Sequence, residues 1–239
     1  MYKEFSKIYD YFMENCEYDF WINQIYEILD KYKKNEGTLI DIGCGTGEML
    51  CRFSQKYESV GLDLSVEMLT IAKKKMKNLP SPCLLFHGDM VDFNCGKKFD
   101  VAVSLFDTVN HLSSNEDLEQ HLKTVKSNLN RDGIYIFDII DREFMTLMFP
   151  NKLFLDNRKK ITVIWEHEIE NGIDFIDATY FLKNKMGTYD KMTEVYEKKI
   201  FTDEEIKNAI KKSGLVFKEL VINEKIAGKR QFYVVKNEE

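Results

Sequence analysis

Apolar and polar positions follow two rhythms along this chain, and the rhythm changes near residue 150. Before that point, short apolar runs alternate with amphipathic stretches. Tyr18, Ile22, Ile25, Leu29 and Tyr32 recur at helical spacing, with Trp21 and Ile28 beside them, so the stretch to about Lys34 reads as helix. Leu39-Ile40-Asp41-Ile42 is a buried strand carrying one carboxylate. It runs into Gly43-Cys44-Gly45-Thr46-Gly47-Glu48 and an amphipathic segment with Met49, Leu50 and Phe53 on one face. Ser59-Val60-Gly61-Leu62-Asp63 is a second strand, after which Ser65 caps a helix carrying Met68, Leu69, Ala72 and Met76. Pro80 and Pro82 mark a loop before a third strand, Cys83-Leu84-Leu85-Phe86. Cys95-Gly96-Lys97-Lys98 turns into a fourth, Phe99-Asp100-Val101-Ala102-Val103-Ser104-Leu105. Ser114-x-x-Asp117 has the form of a capping box and opens a helix with Leu118, Leu122, Val125 and Leu129. Gly133-Ile134-Tyr135-Ile136-Phe137-Asp138 follows as a fifth strand. Such alternation is the signature of a parallel α/β sheet.

From about Ile161 to Phe201 the period shortens to two. Residues 162–168, 175–181 and 194–200 read as three antiparallel strands, the first two joined at Asn171-Gly172, a strong hairpin signal. Thr202-x-x-Glu205 is a full capping box opening a helix with Ile206 and Ile210 that ends near Gly214. Residues 215–225 and Gln231-Phe232-Tyr233-Val234-Val235 pair antiparallel across Gly228-Lys229-Arg230. The expected fold is α/β: a Rossmann-like, doubly wound, seven-stranded sheet with its last strand antiparallel. Residues 1–150 and 201–239 form this core, and residues 151–200 form a small antiparallel β insertion after the fifth core strand, acting as a substrate lid. The polar face of the insertion carries Glu166, Glu168, Asp174, Asp177 and Glu194, and suits either a solvated surface or an acidic roof over a cationic substrate. Upstream, Tyr2, Phe5, Tyr9, Tyr11 and Phe12 suit a helix packed across a sheet edge or an N-terminal lid placing a tyrosine over the ligands.

Composition narrows the function classes. With 44% apolar residues, 239 residues can bury a full core. A formal net charge of −6 and pI ≈ 5.4 argue against a nucleic-acid partner, and no basic stripe is evident. Five cysteines without a C-x-x-C pair and four histidines without metal-ligand spacing give no support to a metal site. Unpaired cysteines, an N-terminus lacking an apolar h-region and no run near the ~20 residues of a bilayer span lead to the expectation of a soluble, cytoplasmic protein without a membrane partner. The oligomeric state is open, a homodimer included.

The chemistry centres on the glycine turn. Glycines there tolerate positive φ and let the backbone approach a ligand more closely than a Cβ would permit. The dinucleotide fingerprint G-x-G-x-x-G needs its third glycine where this chain has Glu48. Asp63 lies about 20 residues beyond Gly43, the offset at which a carboxylate reaches a ribose, and both ribose hydroxyls can donate to it. An aspartate at Asp89 suits a simple turn as well as a ligand contact. Leu105 should line the ligand, while Asp107, Asn110 and His111 stand at the carboxyl end of the fourth strand, where ligands meet a doubly wound sheet.

Three stretches together resemble the cofactor motifs of class I methyltransferases dependent on S-adenosyl-L-methionine (SAM). They are Asp41-Ile42-Gly43-Cys44-Gly45-Thr46-Gly47, Gly61-Leu62-Asp63-Leu64-Ser65-x-x-Met68-Leu69 and Gly88-Asp89-Met90. Ile8-Tyr9-Asp10 and residues 105–112 are similar to small-molecule N-methyltransferases, namely glycine/sarcosine enzymes and dimethyltransferases of nucleotide-linked amino sugars. The late hairpins and Phe201-Thr202-x-x-Glu205 look like the amino-sugar branch. The resemblance implies SAM as cofactor and S-adenosyl-L-homocysteine (SAH) as product. It implies cofactor contacts from Tyr9, Asp41, Gly43, Cys44, Gly45, Asp63, Leu64, Met68, Asp89, Met90 and Leu105, with Asp89 accepting from the adenine amine. It also places His111 near the reacting methyl as the catalytic candidate, and Tyr2, Asp107 and Asn110 at the substrate.

The chain departs from both branches. Ile139-Ile140-Asp141-Arg142 replaces aromatic residues of the amino-sugar enzymes, and Asp107 replaces an asparagine of the glycine enzymes. Leu105-Phe106-Asp107-Thr108 lacks the prolines of nucleobase amino-methyltransferases, and Pro82-Cys83 precedes the third strand, away from the expected methyl. The expected reaction is in-line methyl transfer to an amine of a small molecule, with His111 orienting or deprotonating the acceptor at a pKa suited to neutral pH and Asp107 holding a cationic amine. O-methylation of a hydroxyl or carboxyl, and a SAM-binding protein without catalysis, are the alternatives. A nicotinamide oxidoreductase is disfavoured by Glu48 and by the absence of a Tyr-x-x-x-Lys pair.

Overall fold

The computed structural model describes residues 2–77, 79, 83–225 and 229–239. The loop expected at Pro80 and Pro82, and Gly228 of the last expected turn, lie outside the described residues. The chain opens with single turns at Phe5–Lys7 and Met13–Asn15 around α1 (Tyr9–Phe12), followed by α2 (Tyr18–Lys31). Next come β1 (Gly37–Ile42), α3 (Glu48–Phe53), β2 (Tyr57–Asp63), α4 (Val66–Met76), β3 (Leu84–His87) and β4 (Phe99–Ser104). A turn at Thr108–His111 leads to α5 (Asn115–Asn128), β5 (Leu129–Ile139) and α6 (Arg142–Met148). Four strands follow: β6 (Leu153–Asn157), β7 (Ile161–Glu170), β8 (Ile173–Lys183) and β9 (Tyr189–Lys199). The chain closes with α7 (Asp203–Ser213), β10 (Val216–Asn223) and β11 (Arg230–Lys236).

The larger sheet has seven strands in the order β10-β11-β5-β4-β1-β2-β3. Its pairs from β5 to β3 are parallel, whereas β11 runs antiparallel to β5 and β10. This is the doubly wound sheet with an antiparallel last strand that the hydrophobic pattern implies. Strands covered on both faces are apolar at both parities. Leu39, Val101, Val103, Ile134, Ile136, Phe232 and Val234 pack under α2 and α3 with Trp21, Ile25 and Phe53. Their chain neighbours Ile40, Ala102, Tyr135, Phe137, Tyr233 and Val235 pack under α5 and α7 with Leu118, Leu122, Ile206 and Ile210.

The caps are local and follow the sequence. Ser65 accepts from Met68 N–H and Ser114 from Asp117 N–H, and Thr202 forms a full box with Glu205. Gly214 ends α7 at φ +77°. The Asn171-Gly172 turn takes positive φ at both residues, 52° and 80°, as a tight hairpin requires.

The insertion differs from expectation. It is a separate antiparallel sheet of four strands, β6-β7-β8-β9, rather than three. β6, Leu-Phe-Leu-Asp-Asn, has apolar residues at both parities and pairs only with β7, so it shows no period-two signal. α6 was also unforeseen: Asp141 caps it by accepting from Phe144 N–H.

Removing the Thr202 hydroxyl leaves the first turn of α7 uncapped. Thr202→Ala should lower stability by about 1 kcal/mol, read as a fall in the urea midpoint without a change in slope.

Candidate active site

Chain order reverses between β4 and β1, and at that reversal the carboxyl ends of β1, β2, β3 and β4 surround a cavity of ≈ 340 Å³. The size falls within the usual range for small-molecule sites. All eleven residues expected at the cofactor line it, as do Tyr2 and His111. Asp107 and Asn110 do not.

The glycine turn shapes the floor. Gly43 sits at φ +79°, and a Cβ there would fall 2.4 Å from a methyl of Thr108. Gly45, at φ +53°, has open space where a Cβ would be, and its N–H donates to Asp63 Oδ2 at 2.8 Å. Ser65 N–H donates to Asp63 Oδ1 at 2.8 Å, so two amides from different loops fix this carboxylate. Burial raises the Asp63 carboxyl above its ordinary value against those two bonds. Asp41, at the end of β1, makes no side-chain hydrogen bond among the described residues. Burial, helped by the charge of Asp63, pushes it up to about 8. Asp89 accepts from Val91 N–H through Oδ1 at 2.9 Å, so it forms the turn and lines the cavity at once. Leu64 stands half exposed at the rim. The lining holds five acidic side chains (Asp41, Glu48, Asp63, Asp89 and Asp117), of which Glu48 is paired with Arg52 and Lys75 outside the cavity, and, among the described residues, no lysine or arginine. Such a lining attracts cations and repels phosphates.

The segment before α2 closes one side. Glu194 of β9 accepts from the N–H groups of Glu4 and Phe5, both at 2.9 Å. Phe5 stacks on Tyr180 at 5.3 Å, and Asp10 accepts from Thr46 of the glycine turn at 2.6 Å and from Lys75 at 2.8 Å. One short stretch is thus tied to the second sheet and to the glycine turn, and carries Tyr2 and Tyr9 into the cavity wall. The two sequence alternatives for this segment merge: it packs as an aromatic cluster and also covers the site.

His111 departs from expectation. Its Nε2 meets the Tyr2 hydroxyl at 2.6 Å, while Nδ1 is buried without a partner. A backbone group of Glu197 approaches the ring outside hydrogen-bond geometry. Burial, with the charge of Lys198, lowers its pKa to about 3 instead of leaving it near neutrality. At pH 7 this imidazole is neutral and a poor proton acceptor.

Two residues expected at the substrate are not among those lining the cavity. Asp107 pairs with Lys198 of β9 and, at 2.8 Å, with Arg230 of β11. Burial alone would raise its carboxyl, but these two cations outweigh that and hold it well below the usual range. It joins the second sheet to the core and has no free charge for an amine. Asn110 is buried; its Oδ1 accepts from Ile140 N–H at 3.0 Å and its Nδ2 donates to Lys199 O at 2.9 Å. It stitches the loop after β4 to β5 and β9. Lining residues that pattern reading missed are Tyr18, Leu62, Phe106 and Thr108. The Lys198–Asp107–Arg230 bridge was equally hidden, its one signal being an arginine at the head of a strand whose middle, Phe232 to Val235, is apolar.

A doubly wound, seven-stranded sheet with one antiparallel last strand and a cavity at its switch point is the architecture of an α/β enzyme of the methyltransferase class. Residues 39–133 match the methyltransferase domain family. The Bacillus subtilis protein YqeM, which carries a methyltransferase name, is 31% identical over 220 residues, covering 90% of this chain and 86% of its own. A dTDP-3-amino-3,4,6-trideoxy-α-D-glucopyranose N,N-dimethyltransferase of Streptomyces venezuelae is 30% identical over 136 residues, 56% of each chain. A solved SAM-dependent methyltransferase from Clostridium acetobutylicum superimposes with a TM-score of 0.87 at 25% identity, over 98% of both chains. The chain belongs to the methyltransferase domain family. It is a SAM-dependent methyltransferase.

Glu194→Ala should free the N-terminal segment, because charged acceptors of backbone amides are worth about 1.5–3 kcal/mol each. Hydrogen exchange over residues 4–12 should speed up at least tenfold while β4 and β5 stay protected; unchanged exchange would show that the aromatic cluster alone holds the segment.

Proposed function

We propose that this enzyme methylates the nitrogen of a small amine, and the observation that carries the reading is the acidic cavity ending at a neutral imidazole. SAM, when bound, supplies a methyl group already activated on a sulfonium. The residues present fit it. Asp63, fixed by two amides, has remaining lone pairs for two ribose hydroxyls. Asp41, buried and unpaired, needs a cation and would take the methionine ammonium. Asp89 and the Met90 backbone would hold the adenine. Cys44, Leu64, Met68 and Leu105 would give the apolar contacts, with Tyr9 beside them.

The N-terminal segment and the second sheet, residues 151–200, act as a lid on the core formed by residues 1–150 and 201–239. Their part is to exclude water and to align the acceptor with the methyl, which is what this transfer requires. An amine attacks with its lone pair and needs no base if it enters neutral. His111, with a pKa of about 3, therefore orients the acceptor with Tyr2 rather than taking its proton. The N,N-dimethyltransferase name of the Streptomyces relative supports a nitrogen acceptor. Among the described residues the cavity lining offers no counter-charge for a diphosphate, so an acceptor without phosphate suits it better than a nucleotide-linked sugar.

Turnover of methyl-labelled SAM against amines, phenols and carboxylates tests the reading: labelled amines support it, and label on oxygen alone overturns it. The rate should rise with pH as the acceptor amine loses its proton, with no inflection near 6.5. His111→Gln should keep kcat within about tenfold; an inflection near 6.5 that His111→Gln abolishes would restore the base role.

Asp41 gives a second prediction. Free, it titrates at about 8; an ammonium beside it favours the carboxylate and lowers that value. Binding SAH at pH 7 should therefore release a proton, and affinity should rise as pH approaches 8. Asp41→Asn should abolish the proton release and weaken binding roughly tenfold or more, measured by calorimetry in buffers of different ionisation enthalpy.

A further inference from the structure

The inner face of α5 is polar where a helix packed on a sheet should be apolar. His121, Thr124 and Asn128 are all buried there, beside Leu118, Leu122 and Val125. Spaced three and four residues apart, they form one stripe, and each donates to a different carbonyl of the loop after β3. His121 Nδ1 meets Met90 O at 2.9 Å, Thr124 Oγ1 meets Val91 O at 2.7 Å, and Asn128 Nδ2 meets Phe93 O at 3.1 Å. A carbonyl only accepts, so His121 Nδ1 carries the hydrogen. The other ring nitrogen meets the Tyr135 hydroxyl at 2.8 Å, and that hydroxyl reaches Ser104 Oγ at 2.8 Å. Burying three polar side chains is costly unless each is bonded, and here each is.

The loop held in this way carries Asp89 and Met90, which line the cavity. Its own ties are few: Val91 N–H to Asp89 Oδ1, Asp92 N–H to Asp89 O at 3.3 Å, and Gly88 N–H to Asp63 O at 3.1 Å. The Met90 N–H makes no hydrogen bond among the described residues. We propose that His121 is a positioning residue for the base. By holding the Met90 carbonyl against α5, it sets the loop so that the free Met90 N–H and the Asp89 carboxylate meet one edge of a 6-aminopurine, and it thereby sets the preference for adenine over a 6-oxo base. This rests on the assignment of the adenine to Asp89 and Met90. His121 touches neither cofactor nor acceptor; it acts through Met90, with Tyr135 fixing the ring.

The test measures binding of SAH and of its inosine counterpart to the full-length enzyme, and kcat and KM for SAM with an amine acceptor. His121→Ala should weaken SAH roughly tenfold, bring the SAH-to-inosine preference close to one, and raise KM for SAM while leaving kcat at saturation within about twofold. His121→Asn, whose Nδ2 falls where the imidazole Nδ1 was, should recover most of the preference. Tyr135→Phe, which removes the hydroxyl shared by the second ring nitrogen and Ser104, should fall between; it serves in place of His121→Ala if that variant does not fold. A folded His121→Ala, or Tyr135→Phe in its place, that keeps the wild-type preference overturns the proposal. Asp89→Asn separates the two levels. Loss of preference in Asp89→Asn but not in His121→Ala refutes the positioning role alone, whereas retention in both refutes the adenine assignment beneath it.

Discussion

The site depends on one bond between two loops, the Gly45 N–H donating to the Asp63 carboxylate at 2.8 Å. It joins the turn after β1 to the end of β2. Gly45 holds φ +53° there, a left-handed conformation that side-chain-bearing residues rarely adopt. Ser65 N–H completes the fixation from the other side at 2.8 Å. A carboxylate held by two amides keeps its remaining lone pairs in set directions, and those directions open into the cavity. Close packing of Gly43 against Thr108 brings the loop after β4 to the same point.

Around this bond, buried polar groups divide into two kinds. Some are paired with one another and act as joints. Asp107 with Lys198 and Arg230, Asn110 with Ile140 and Lys199, and Glu194 with the amides of Glu4 and Phe5 connect the second sheet, the core and the N-terminal segment. At the cavity wall, by contrast, His111 Nδ1 is buried without a partner, and the Asp41 side chain makes no hydrogen bond among the described residues. Unpaired groups of this sort are expensive to bury and mark where the protein keeps bonding capacity for a ligand.

The parts of this arrangement that sequence reading recovers are those whose partners lie close along the chain. The glycine turn, the caps at Ser65, Ser114 and Thr202 and the Asn171-Gly172 hairpin are decided by neighbouring residues. The pairing of Asp107 and Asn110 was not legible because their partners Lys198, Arg230 and Lys199 lie about ninety residues or more away, and nothing near residue 107 announces them. His111 looked suited to neutral pH because its burial and the nearby Lys198 charge are equally distant features. β6 escaped because apolar residues stand at both parities. The polar stripe of α5 was hidden among the leucines that identified the helix.

The central claim is that the acidic cavity at the strand reversal takes a cationic adenine nucleoside and refuses a dinucleotide. Calorimetric titration of the unmodified enzyme with SAH and with NAD, under one set of conditions, addresses it directly. One SAH bound per chain and no detectable heat from NAD is the predicted result. Saturable binding of NAD, or a folded enzyme that takes up no SAH, would contradict the account.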